Sequence, residues 1–308
     1  MLALLFPGQG SQRPQMGEPW KGHPAWSVVD RISAATGRDV AGLLLDADAE
    51  TLRQTRNAQL AAFALSIVTL RAARSSGLEY KPVRAVAGHS LGEYTALVAG
   101  GALEPEEGAR LVAERGEAMQ IAADSAPGTM AAVLGLDPDA VSKACSSVEG
   151  AWPANDNAPG QVVIAGTHAG VEAAGEAARQ LGAKRVMPLP VGGAFHSPLM
   201  APAQQRLGDA LAGARFHEAE VDVVANVDAS AHRSGWVDLL SAQLVSPVHW
   251  RESLLLLQRL GATHFLELGS GTELSGMVKR TVDDSQRANV ATPDDLDGLT
   301  GFLEGVSR

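Results

Sequence analysis

Val83-Arg84-Ala85-Val86-Ala87-Gly88-His89-Ser90-Leu91-Gly92-Glu93-Tyr94-Thr95-Ala96-Leu97-Val98-Ala99 holds the key to the architecture. The β-branched and small apolar run Val83 to Ala87 reads as a buried strand. Glu93 to Ala99 has helical composition, with an acid in the first turn where it complements the helix dipole. Between them lies Gly-x-Ser-x-Gly, in which small residues two before and two after the serine allow a strained strand-to-helix turn. Such a turn presents the Ser90 hydroxyl outward, beside backbone N–H groups and the positive helix end, where a developing oxyanion would be stabilised. The plainer reading is a glycine-flanked turn with a capping serine. The strand before and the helix after favour the nucleophile.

Working outward, Ala58 to Arg74 is an apolar, Ala/Leu-rich helix without a breaker. Met1 to Phe6 is apolar, but Pro7-Gly8 ends the run well short of a membrane span and no basic segment precedes it, so it reads as a buried first strand. Downstream, Pro105 opens a helix with Glu106 and Glu107 in its first turn, running towards Ala123 and carrying Arg110, Glu114 and Arg115. After Pro127-Gly128 the rhythm changes. Strand Thr129–Gly135, helix Pro138–Val148, strands near Trp152–Asn155 and Gln161–Ala165, helix Thr167–Leu181 and strand Lys184–Leu189 follow in order. That is βαββαβ, the ferredoxin-like arrangement, in about 60 residues. Helix Pro202–Leu211, strand Val221–Asn226, helix Trp250–Leu260 and strand His264–Leu268 then resume α/β alternation. The expected fold is α/β: an α/β-hydrolase-like large domain formed by residues 1–126 and 194–308, with a ferredoxin-like small subdomain, 127–193, inserted.

Composition narrows the function. Over 308 residues, 45% are hydrophobic, enough for a large core. A formal charge of −10 with no long Lys/Arg run argues against nucleic acid and against anionic membrane surfaces. Cys145 is the single cysteine, so no internal disulfide or multi-cysteine metal site can form, and a cytoplasmic compartment is expected. No metal-ligand spacing appears, and no phosphate-binding glycine fingerprint is followed by a ribose-binding acid. Gly269-Ser270-Gly271 reads as a plain loop, and the expectation is no metal and no bound cofactor. An acidic chain without an apolar surface stripe is expected to be a monomer.

A serine needs a base. His23, His89, His168, His196, His217, His232, His249 and His264 are the candidates, and spacing alone leaves several open. His89 adjoins Ser90 but should point away on the turn. His168, His217 and His232 lie in polar contexts, and His249 and His264 look structural. His196 is preferred, because Gly192-Gly193-Ala194-Phe195-His196-Ser197-Pro198 is a glycine-rich loop leaving the small subdomain, where the two domains should meet in a cleft.

The sequence resembles the malonyl-CoA:acyl carrier protein transacylases of fatty acid synthesis and the related acyltransferases of polyketide synthesis. The resemblance rests on Phe6-Pro7-Gly8-Gln9-Gly10-Ser11-Gln12, Gly88-His89-Ser90-Leu91-Gly92-Glu93, Gly128-Thr129-Met130-Ala131-Ala132-Val133, Asn155 through Gly166, and Ala194-Phe195-His196-Ser197, in that order. It implies Ser90 as the nucleophile that carries the acyl group and His196 as its base. A backbone carbonyl near Gln243 would orient the histidine, giving a dyad. The N–H groups of Gln9 and Leu91 would form the oxyanion hole. Taken alone, Arg115 on a helix rich in Glu and Arg reads as a solvated charge. The resemblance instead makes it the grip on a malonyl carboxylate, for which a planar guanidinium is suited.

By the same resemblance, Phe195 would crowd a C2-methyl branch, while Met119, Val98 and Asn155 match positions lining the acyl site. Malonyl-CoA is the implied substrate and acyl carrier protein the partner. Because that carrier is acidic, docking calls for a basic patch, and Lys184-Arg185 is the first choice; a solvated strand end is the plainer reading. The related possibilities are an acyltransferase serving a polyketide synthase or a malonate decarboxylase. A serine esterase or thioesterase could use the same elbow, and a non-catalytic scaffold could keep the fold.

Overall fold

The computed structural model describes residues 1–79 and 82–306. Strand β1 (Leu2–Phe6) is buried along its whole length. Short helices α1 (Ser27–Thr36), α2 (Val40–Leu45) and α3 (Ala49–Arg53) lead to the long α4 (Thr55–Ser75). Then come β2 (Val83–Gly88), α5 (Gly92–Ala99) and α6 (Pro105–Ser125). β1 lies between β2 and a later strand, β9 (His264–Leu268), and pairs in parallel with both.

A strand covered on both faces must be apolar at every position, and alternation then sorts its side chains between two cores. Leu2, Leu4 and Phe6 enter the core shared with α1, α4 and α6. Ala3 and Leu5 enter the opposite core with Trp250, Leu254 and Val278. No helix among the described residues is long and apolar enough to cross a membrane.

The second sheet is built from β3 (Thr129–Leu134), β4 (Ala151–Ala158), β5 (Gln161–Gly166) and β6 (Arg185–Pro188), with α7 (Pro138–Ser146) and α8 (His168–Gln180) between strands. Its order is β4-β5-β3-β6 and every pairing is antiparallel, the ferredoxin-like topology. Ala131, Val133, Val162 and Ile164 face α7 and α8 in a core of their own. Met130, Ala132, Val163 and Ala165 face the other way and join the large core.

The chain returns through α9 (Ala201–Gly213), β7 (Asp222–Val224), β8 (Ala231–His232), α10 (Trp236–Gln243), α11 (Trp250–Arg259), β9, α12 (Glu273–Thr281), β10 (Gln286–Val290) and α13 (Leu299–Val306). The large sheet runs β10-β9-β1-β2-β7-β8, parallel except for β8.

Two departures from the sequence reading have clear causes. β4 continues through Asn155-Asp156-Asn157, which are polar but paired: Asp156 N donates to Val248 O at 2.9 Å, and the Asp156 carboxylate meets Arg251 Nε at 2.9 Å. β10, Gln286-Arg287-Ala288-Asn289-Val290, carries no apolar alternation and forms because β9 offers an open parallel edge.

Candidate active site

The large sheet delivers its chemistry where β1 and β2 end. β2 stops at Gly88, Ser90 sits at φ 51°, and α5 starts at Gly92. A left-handed conformation at a residue with a Cβ costs about 1–2 kcal/mol, so its neighbours must enforce it. Glycines make the crossing possible. A Cβ on Gly88 would lie inside the Gly92 carbonyl, and one on Gly92 would lie inside the Phe6 carbonyl.

Asn226, just past β7 and fully buried, laces the elbow from behind. Its Oδ1 accepts from Ser90 N at 2.6 Å and its Nδ2 donates to Gly88 O at 2.8 Å.

His196 occupies the loop after β6, also with a left-handed backbone, at φ 58°. Ser197 Oγ donates to Ala194 O at 2.6 Å and shapes that turn. Imidazole Nδ1 donates to Gln243 O at 2.9 Å, which leaves Nε2 as the acceptor facing Ser90 Oγ at 2.7 Å. Burial, helped by the charge of Arg115, pulls the His196 pKa down to about 3. The imidazole is therefore neutral at physiological pH, the form a general base requires.

Arg115, on α6, is 1% exposed. It donates through Nη2 to Ser90 Oγ at 3.0 Å and to Gln243 Oε1 at 2.9 Å, and through Nη1 to Gln59 Oε1 at 2.7 Å. Its guanidinium carbon stands 5.7 Å from the Tyr94 ring centre. Burial lowers its pKa, opposed by Tyr94 and Glu93. Among the described residues Arg115 has no carboxylate ion-pair partner, and its Nε has no hydrogen-bond partner.

Ser90 opens onto a cavity of about 240 Å³ between the two sheets. Gln9, Met119, Asn155, Phe195 and His196 share its wall. Arg115 does not line it and reaches it only past Ser90 and Gln59. Val98 also stays in the core beside Gly108. Among the described residues the N–H groups of Gln9 and Leu91 donate to no protein acceptor. They remain available to an oxyanion.

Arg185 begins β6, where it pairs with Leu134, and Lys184 immediately precedes the strand. The cavity lies towards the other end of that sheet, at Met130 and Leu189, which are joined by a 2.9 Å backbone hydrogen bond. At about 3.3 Å per residue, the basic pair is more than 10 Å of strand from Met130.

Four site residues escaped the sequence reading. Gln59 was a polar interruption in an apolar helix, a usable signal. Glu93 read as an ordinary first-turn acid but is fully buried, and burial raises its pKa to about 7. Asn226 sat at the C-terminal end of a strand, where α/β sheets place their sites. His89, set aside as pointing away from Ser90, lines the cavity, with Nε2 2.8 Å from Asn157 Oδ1. Among the described residues no group of three or more His, Cys, Asp or Glu is placed to hold a metal ion.

Comparison with known proteins bears on what this constellation does. Residues 3–299 match the family model described as acyl transferase domain. The malonyl CoA-acyl carrier protein transacylase of Bacillus subtilis (strain 168) is 40% identical over 304 residues, covering 96% of this chain and 95% of the relative. That of Escherichia coli (strain K12) is 40% identical over 291 residues, covering 92% and 93%. Among solved structures, an acyl-carrier-protein S-malonyltransferase from Burkholderia pseudomallei 1710b superposes with a TM-score of 0.92 at 39% identity, over 100% of this chain and 99% of that one. A malonyl-transacylase in complex with a type II polyketide synthase acyl-carrier protein gives 0.91 at 36% identity, over 97% and 98%.

Proposed function

The chain belongs to the acyl transferase family, and from that premise we propose that it carries malonyl from malonyl-CoA, through an ester on Ser90, to the phosphopantetheine thiol of an acyl carrier protein. One observation carries the reading: Ser90 Oγ lies between a neutral imidazole at 2.7 Å and a buried guanidinium at 3.0 Å. The first activates a hydroxyl; the second is a receptor for a substrate that bears its own carboxylate.

In the first half-reaction His196 Nε2 takes the Ser90 proton as Oγ attacks the thioester carbonyl. The Gln9 and Leu91 N–H groups receive the oxyanion. Collapse expels the coenzyme A thiolate, which takes the proton back from His196. In the second half-reaction His196 deprotonates the carrier thiol, whose sulfur attacks the ester, and the proton returns to Ser90.

Acylation turns the Ser90 Oγ that Arg115 Nη2 contacts into a weakly accepting ester oxygen, so that donor, together with Nε, can turn to the malonyl carboxylate. A carboxylate held there fixes the ester for a thiol and limits the lines of attack open to water. Gln243 orients His196 through its backbone oxygen. Phe195 crowds a branched acyl chain and favours malonyl over methylmalonyl.

The reading keeps 127–193 as the inserted ferredoxin-like small subdomain and has the enzyme working in the cytoplasm, where carrier thiols stay reduced. Incubation with malonyl-CoA should give an acylated Ser90 peptide by mass spectrometry, and malonyl carrier on adding the carrier. Free malonate as the main product with carrier present would instead mark a serine hydrolase.

A further inference from the structure

We propose that Glu93 is a positioning residue for malonyl transfer: it fixes which way the Gln243 carboxamide faces and so holds the Arg115 guanidinium beside Ser90. The proposal rests on the malonyl-transfer reading above.

Glu93 Oε2 accepts from Gln243 Nε2 at 2.8 Å and from Asn226 N at 3.0 Å. A glutamine carboxamide has nearly the same shape either way round, so its partners decide its orientation. Gln243 sits between two acceptors, Glu93 Oε2 and Ser90 O at 3.0 Å, and one donor, Arg115 Nη2 at 2.9 Å. Only with Nε2 towards Glu93 are all three contacts paired. The flipped amide would set oxygen against two oxygens and N–H against the guanidinium.

The relay does something a direct ion pair could not. Arg115 is held by two neutral oxygens, Gln59 Oε1 and Gln243 Oε1, so it is oriented without being neutralised. Its charge stays available to a substrate carboxylate. Were Glu93 to meet the guanidinium itself, the malonyl group would have to displace a buried carboxylate. Glu93 Oε1 has no partner among the described residues, so a proton there leaves acceptance at Oε2 intact. The device therefore works in either protonation state.

The test compares wild type, Glu93→Gln and Glu93→Leu, each checked for folding by circular dichroism, in transfer to the carrier from malonyl-CoA and from acetyl-CoA. Glu93→Leu strands Gln243 Nε2 and Asn226 N, and is expected to lower kcat/KM for malonyl-CoA by about tenfold to hundredfold. Acetyl transfer, which does not use the guanidinium as a carboxylate receptor, is expected to fall less. The malonyl-to-acetyl preference then drops by about fivefold or more. Glu93→Gln keeps an acceptor at the same place and is expected to restore both rates to within about threefold.

Equal losses on the two substrates, a Glu93→Gln loss as large as that of Glu93→Leu, or an unchanged preference would each overturn the proposal. If Glu93→Leu does not fold, Gln243→Met serves in its place, and a malonyl preference retained in that variant overturns it as well. Should wild type transfer no malonyl at all, the functional reading fails separately. The same variants are then compared for Ser90 acylation by activated malonyl and acetyl esters, with the same outcomes deciding.

Discussion

Replacing Asn226 by leucine tests whether Ser90 is held by the side chain behind it. The substitution keeps branching and approximate size but removes the 2.6 Å acceptor for Ser90 N and the 2.8 Å donor to Gly88 O. Each buried backbone group left unpaired costs about 1–3 kcal/mol, so the pair would cost roughly 2–6. Letting Ser90 relax from φ 51° recovers about 1–2 kcal/mol of that. The net destabilisation is then about 1–4 kcal/mol. Unfolding entropy near 2.1 cal/mol/K per residue over 308 residues makes 1 kcal/mol worth about 1.5 °C, a fall in Tm of roughly 2–6 °C.

Relaxation that softens the stability loss worsens the catalytic one, because it carries Oγ out of line with His196 Nε2. A displacement near 1 Å costs about 10²-fold in rate. Thermal melts and the pre-steady-state rate of Ser90 acylation measure the two quantities on one sample. A variant with wild-type acylation and an unmoved Tm would refute the claim that Asn226 enforces the elbow.

Other consequences are as direct. Gly92→Ala would put a methyl group into the Phe6 backbone carbonyl, which has no room to retreat, so soluble folded protein should be lost or its melting temperature sharply lowered. Phe195→Ala should raise methylmalonyl-CoA use relative to malonyl-CoA by about 5–150-fold, corresponding to about 1–3 kcal/mol, read as a ratio of kcat/KM values. With His196 near 3 instead of 6.5, the acid limb of the acylation pH profile should lie below about pH 5; a limb near 6.5 would contradict a buried neutral imidazole.

The pH dependence of stability separates two buried groups. His196 is depressed, so its contribution is present above 6.5 and lost as pH falls towards about 3; Glu93 is raised, so its contribution is complete below 4.5 and lost as pH rises through about 7. Between 4.5 and 6.5 their slopes oppose each other. Glu93→Gln should therefore make stability rise with pH across that window more steeply than in wild type, as urea melts at several pH values would show.

Much of the fold is written locally. Leu2 to Phe6 is apolar at consecutive positions, which only a strand covered on both faces can use, and Gly88, Ser90 and Gly92 mark a turn that few other sequences tolerate. The strand and helix order between Thr129 and Pro188 was readable for the same reason: each element carries its own periodicity and its own breakers. The edge strand Gln286–Val290 was not readable, since its strand state comes from the neighbour it joins.

Ser90 could be singled out from five consecutive residues because its exposure is a property of the local turn. His196 needed the cleft, and its pairing with Ser90 links positions 106 residues apart. Gln59 and Asn226 carry only weak local marks, a polar break in an apolar helix and the C-terminal end of a strand, and Glu93 and Gln243 carry none, because what all four do depends on which donors and acceptors surround them after burial. The sequence alone therefore determined the architecture and the serine presented at the elbow, through short-range backbone sterics and hydrophobic period. Only the tertiary structure decided which imidazole stands against Ser90, the neutral cradle that holds Arg115 and the carboxylate behind it. Those depend on hydrogen bonds between residues 47 to 150 positions apart, formed only when the core excludes water.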